Sequence, residues 1–114
     1  MTALSTVLED CADNGLLFHC PGCNMAHQVK HGEGHGPRWT WNGDMDKPTF
    51  TPSINVRFEH WVPPFRPGTA KPENQTLVKD VCHSFVTDGR IQFLADCTHA
   101  LAGQTVDLPP FDWY

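Results

Sequence analysis

A small metal-stapled fold, α+β but mainly β, is what this sequence predicts, and three observations predict it. A Cys20-Pro21-Gly22-Cys23 knuckle is answered far downstream by Cys82 and by Cys97-Thr98-His99. Short apolar runs alternate and are punctuated by Asn-Gly and Asp-Gly pairs, the pattern of strands joined by tight turns. Ten prolines and nine glycines among 114 residues leave little room for long helices.

Taken in order, residues 1–13 carry Leu4, Val7, Leu8 and Cys11 at helical spacing and predict one short helix, stopped by Asn14-Gly15. Leu16–His19 predicts a strand entering the knuckle and Ala26–Val29 the returning strand, a zinc-ribbon-like arrangement. His31–Pro37 is a glycine-rich loop, and Arg38–Trp41 alternates up to the turn signal Asn42-Gly43. Ile54, Val56 and Phe58 share one strand face, with Pro52 marking an edge or a bulge at its start. Pro63, Pro64, Pro67 and Pro72 make 60–80 an exposed excursion without a strand pattern.

The clearest element is a hairpin over 81–96 around Asp88-Gly89, a type I′ signal. A two-residue turn fixes its register: Thr87 opposes Arg90, Val86 opposes Ile91, Ser84 opposes Phe93 and Cys82 opposes Ala95. An extended aromatic tail, 107–114, ends a chain expected to form a single domain over 1–114.

The formal charge is −5, with only eight Lys and Arg. That excludes a basic grip on nucleic acid or on an anionic membrane. No apolar run approaches the ~20 residues of a membrane span, and the N-terminus lacks a secretory pattern, so the cytoplasm is the expected compartment. Five cysteines, an odd number, as CxxC plus CxH suit metal better than disulfides.

The predicted metal is Zn2+, held by Cys20, Cys23 and Cys82 with either Cys97 or His99 as fourth ligand, because zinc favours thiolates completed by imidazole in a tetrahedral site. Alternation along the hairpin puts Cys82, Cys97 and His99 on one face and His83 on the other, so His83 is not expected to bind that ion. His27 is the best spare ligand, and His31 and His35 on their glycine loop make a weaker second candidate. Trp39, Trp41 and Asp44 form a candidate binding surface, against the plainer alternative that one Trp fills the core and Asn42-Gly43-Asp44 merely makes the turn. A redox role for the CPGC thiols, and a nucleophile set of Cys82, His83 and Asp96, are rival uses of the same residues. There is no GxSxG or HExxH motif.

Cys20–Cys23, Pro37–Asp44 (PRWTWNGD), Lys47–Ser53 (KPTFTPS), Cys82–Leu94 (CHSFVTDGRIQFL) and Asp96–Val106 (DCTHALAGQTV) together resemble a family of small phage and prophage proteins commonly labelled ammonia monooxygenase. The resemblance implies a phage or prophage origin and an accessory role. The label itself is rejected, since a membrane copper oxygenase needs spanning helices and a copper site. Within that family the position of Cys97 can be serine while that of His99 stays, which implies His99 as the fourth ligand. Relatives near bacterial ubiquitin-like operons imply work on protein conjugates.

The expected function is therefore a non-enzymatic zinc-binding module that binds a host or phage protein partner, with no nucleic acid and no membrane. The alternatives are a small metal-dependent hydrolase acting on protein conjugates, in which His27, His83 or Asp44 completes a site with an exchangeable water, and a thiol redox protein.

Overall fold

Two antiparallel sheets make up the computed structural model, which describes residues 2–63, 67–68 and 70–110. The first sheet contains β1 (Thr2–Ala3), β2 (Glu9–Cys11), β3 (Gly15–Cys20) and β4 (Met25–Lys30) in that order. The second contains β5 (Thr40–Trp41), β6 (Phe50–Val62), β7 (Thr76–Thr87), β8 (Arg90–Phe93) and β9 (Thr105–Asp107), also in chain order. No helix is present among the described residues, and none is therefore long and apolar enough to cross a membrane.

The helix expected over residues 1–13 is not formed. Ser5 Oγ accepts from the amides of Val7 and Leu8 at 3.2 and 3.1 Å, and Leu4 N–H donates to Leu8 O. That hydroxyl-anchored turn competes with a helix whose few residues cannot repay nucleation. The chain reverses instead, pairing Ala3 with Glu9, and still buries Val7 and Leu8. The helical spacing of Leu4, Val7 and Leu8 thus reflects a tight turn that turns the same side chains inward.

The two sheets share one apolar cluster. Leu8, Leu16, Phe18, Cys20 and Val29 come from the first; Phe50, Ile54, Cys82, Val86, Ile91, Phe93 and Leu108 from the second or its ends. Phe18 stacks on Phe50 with ring centroids 6.1 Å apart. A second tie lies at the end of β4, where Trp39 N–H donates to Lys30 O and His31 bridges to Trp39.

Between β7 and β8 the Asp88-Gly89 turn sets the register as its chemistry predicts: Thr87 with Arg90, Val86 with Ile91, Ser84 with Phe93. Both turn residues have positive φ, as a type I′ turn requires. The ladder stops at Phe93, so Cys82 does not pair with Ala95. Beyond it the chain runs beside β7 through Leu94 N–H to His83 O and Thr98 N–H to Val81 O, leaving Ala95 and Asp96 bulged outward.

The excursion expected over 60–80 is shorter than its prolines suggest, because β6 continues to Val62 and β7 begins at Thr76. Together they form a long two-stranded arm. On β6, Thr51, Pro52 and Ser53 interrupt the register between the Phe50–Val86 and Ile54–Ser84 pairs. Pro52, which lacks an N–H for the ladder, sits in that bulge. Of the aromatic tail, Phe111–Tyr114 lies outside the described residues.

Candidate functional site

β7 carries chemistry on both of its faces, because side chains alternate along a strand. Cys82 and Ser84 point into the core, while Val81, His83 and Phe85 point to solvent.

On the solvent face, Ser53 Oγ and His83 Nε2 are 2.9 Å apart, and His83 Nδ1 lies 3.2 Å from Asp96 Oδ2. With Asp96 accepting from Nδ1–H, Nε2 is left as the acceptor for the Ser53 hydroxyl. A hydroxyl, an imidazole and a carboxylate in series at hydrogen-bond distances form the nucleophile–base–orienter arrangement of serine hydrolases. Each member has a local reason to be there. The bulge at Pro52 displaces Ser53 from the regular ladder, β7 holds His83 near the middle of the sheet, and the turn in which Cys97 N–H donates to Leu94 O presents Asp96.

Neighbouring groups hold this set in place. Trp39 Nε1–H donates to Ser53 O at 3.3 Å. Cys97 Sγ accepts from His83 N–H and donates to His83 O, each at 3.2 Å, which clamps the backbone of the base. The His83 ring stacks against Phe85 at 6.5 Å.

On the inner face lies a candidate metal centre. The ligand atoms of Cys20, Cys23, His27 and Cys82 all fall within 4.8 Å of one another. Cys82, Cys97 and His99 form a second, overlapping group on the same criterion. Cys20 ends β3 and Cys23 closes the Pro21-Gly22 turn, while Cys82 reaches them from the other sheet, its Sγ 3.8 Å from that of Cys20. His27 returns on β4 opposite Phe18 and is buried. The Nε2 atoms of both His27 and His99 are buried without a hydrogen-bond partner, which leaves each nitrogen able to ligate a metal ion. His99 also packs so closely over Gly22 that a Cβ there would run into its ring.

The thiols share negative charge unequally. Hydrogen bonding from Cys82, then from His27 and the Cys23 amide, holds the Cys20 thiol down at about 4 against the opposing effect of burial. Burial and the adjacent Cys20 charge push Cys23 up to about 11, and Cys82, donating to Cys20, is pushed up as well. Three thiols and an imidazole gathered this closely can hold a metal ion.

Sequence reasoning placed His83 away from the thiol cluster, and the structure puts its ring on the opposite face of β7. The sequence joins His83 and Asp96 as a catalytic pair only around Cys82, whose side chain points inward to Cys20. Ser53 was not singled out at all; the available signal was Pro52, a ladder-breaking residue inside an alternating strand. Of the suggested binding surface, Trp39 bonds to Ser53, and Trp41 Nε1 donates to Asp44 O at 3.1 Å, with both indoles packed against the core. Asp44 caps its own turn, accepting from the amides of Asp46 and Lys47. His31 lies against Trp41, with ring centroids 5.2 Å apart. His35 is exposed, and its carbonyl accepts from Arg38.

A family model described as "Bacterial ubiquitination-like system serine protease (BubE)" matches residues 2–94. No curated protein and no solved structure matches. The chain belongs to the BubE family, which overturns the expectation of a non-enzymatic phage accessory module acting by protein binding. A protease family favours the hydrolase alternative.

Proposed function

We propose that this member of the BubE family is a serine protease of a bacterial ubiquitination-like system that cleaves acyl linkages to a protein, with Ser53 as nucleophile, His83 as general base and Asp96 as its orienter. The observation that carries the proposal is the series Ser53 Oγ–His83 Nε2–Asp96, at 2.9 and 3.2 Å, in a chain whose family is described by serine chemistry.

The chemistry follows from the geometry. Ser53 Oγ attacks the scissile carbonyl while its proton passes to His83 Nε2. Asp96 stabilises the resulting imidazolium through Nδ1–H. His83 then returns that proton to the departing amine or alcohol, leaving an acyl group on Ser53. Water, deprotonated by His83, attacks the ester and frees the enzyme.

The inner-face cluster takes a different part in this proposal. Zn2+ is the metal its donors suit best, because thiolates with one imidazole make a closed tetrahedral set. Cys20, Cys23, Cys82 and His27 are the ligands favoured by their mutual proximity, with His99 the other imidazole of the neighbourhood. Four protein ligands leave no position for a reactive water, so the ion would act as a cross-link between the two sheets.

The test is cleavage of a conjugate of the system's ubiquitin-like protein. Ser53→Ala and His83→Ala are expected to lower its rate by at least 10^3-fold, while brief exposure of the folded enzyme to a chelator leaves the rate unchanged. Retained cleavage in Ser53→Ala, or immediate loss on chelation with no change in fold, overturns the proposal.

A further inference from the structure

The face of β6 and β7 that carries His83 continues far beyond it. In the β6–β7 register, Asn55 pairs with His83, Arg57 with Val81, Glu59 with Lys79 and Trp61 with Leu77, so all of these side chains share the solvent face with the Ser53–His83–Asp96 set. At the end of this row, Trp61 and Leu77 form a cross-strand apolar pair, 52% and 38% exposed. An open recess of about 740 Å³ lies beside them, lined by Trp61, Lys71, Pro72, Asn74 and Gln75. Its floor is shaped in part by Gln75, whose side chain donates to Pro63 O at 2.9 Å. A second depression, lined by Arg57, Phe58, Glu59, Lys79, Asp80 and Val81, lies along the stretch of the arm between that pair and His83.

Trp61, Val62 and Leu77 together expose apolar surface at one end of the arm, and Trp is among the side-chain types enriched as interface anchors. The position of Trp61 relates it to the chemistry. Leu77 stands six positions before His83 on β7, about 20 Å along the strand. A peptide held only around its scissile bond would not reach Trp61.

We infer that the tip of the β6–β7 arm, centred on Trp61 and Leu77, is an exosite for a folded protein domain whose extended tail runs along the arm to Ser53. The partner presents an apolar patch to the indole, and the recess beside it, with Lys71 as the charged residue among its described lining, favours a carboxylate at the rim of that patch. The tail is a segment of about six extended residues, the length that spans the distance from patch to nucleophile. The continuity of this face with the triad, and the separation between them, argue for a domain with a tail over a short peptide. This inference rests on the serine-protease proposal and adds to it the means by which a ubiquitin-like substrate is chosen.

The experiment compares two fluorogenic substrates with the same C-terminal fluorophore: the system's folded ubiquitin-like protein, and a synthetic peptide of its last six residues. The expected result is a wild-type kcat/KM at least tenfold higher for the folded substrate. Trp61→Ala and Leu77→Ser should each erase most of that advantage, leaving peptide cleavage and fluorophosphonate labelling of Ser53 within twofold of wild type. Trp61→Phe should restore most of it. Equal turnover of both substrates by the wild type, labelling without any preference, or variants that lose both activities in parallel would each overturn the exosite. Absence of labelling on Ser53 overturns the protease proposal instead, and the exosite with it.

Discussion

Asp96 reaches His83 from a turn on the surface, and its contribution is to hold the imidazole with Nδ1 protonated and Nε2 facing Ser53. Asp96→Asn keeps the shape but presents an amide that can hold the opposite tautomer, so kcat is expected to fall by on the order of 10^3–10^4 with little change in KM. Steady-state kinetics on a small ester substrate checks this. Cys97 supports the same base differently, with one thiol accepting from the amide of His83 and donating to its carbonyl. Cys97→Ala removes the thiol from both groups, while the carbonyl keeps the Leu94 N–H, and is expected to cost about 1 kcal/mol of stability in denaturant unfolding. Cys97→Ser, which keeps a donor and an acceptor, should lose less. At this scale the sequence was legible where alternation decides orientation: His83 was separated from Cys82 because neighbours on a strand face opposite ways. Ser53 was not legible, because the contact joining it to His83 spans thirty positions and depends on how far a bulge displaces one residue.

At the scale of elements, the bulge on β6 aims the nucleophile and Trp39 braces it. The indole N–H bonded to Ser53 O is the only described side-chain donor to that carbonyl. Trp39→Phe preserves most of the packing and removes this bond. The expected loss is about 1 kcal/mol of stability, with a fall in kcat larger than any change in KM, measured by thermal unfolding alongside steady-state kinetics. The β7–β8 hairpin was readable because Asp88-Gly89 fixes both turn type and register locally. The N-terminal turn was not, since three apolar residues at helical spacing suit a helix and a Ser5-anchored reversal equally well. Nor was the outer half of the arm. Its strands mix charged, aromatic and polar residues because both faces there meet water, so no alternation survives to announce them.

Across the molecule, the two sheets are joined by their shared core and by the cysteine and histidine cluster, where Cys82 of one sheet meets Cys20, Cys23 and His27 of the other. A cation there would fix the position of Cys82 and, through one peptide bond, that of His83. Removing it is expected to lower the unfolding temperature and to slow acylation of Ser53 only as the fold loosens, which scanning calorimetry and labelling rates on metal-free protein resolve. Because Cys23 is pushed up to about 11 and Cys82 is also raised, both thiols must lose a proton to the solvent in order to ligate a metal. Metal affinity should therefore rise with pH and fall as pH is lowered, a sign that titration calorimetry in buffers of different ionisation heat can read. The thiol spacing announced this centre in the sequence. The sequence left Cys97 and His99 open as the fourth ligand with His27 in reserve; the fold gathers His27 with Cys20, Cys23 and Cys82, and His99 with Cys82 and Cys97, the Nε2 atom of each imidazole being buried without a hydrogen-bond partner.

The central claim is that acyl chemistry occurs at Ser53. A fluorophosphonate probe added to the purified protein, followed by peptide mass mapping, tests it most directly. One adduct on Ser53, missing in Ser53→Ala and strongly slowed in His83→Ala, is the predicted result. No adduct, or an adduct on another residue that persists in Ser53→Ala, would contradict it.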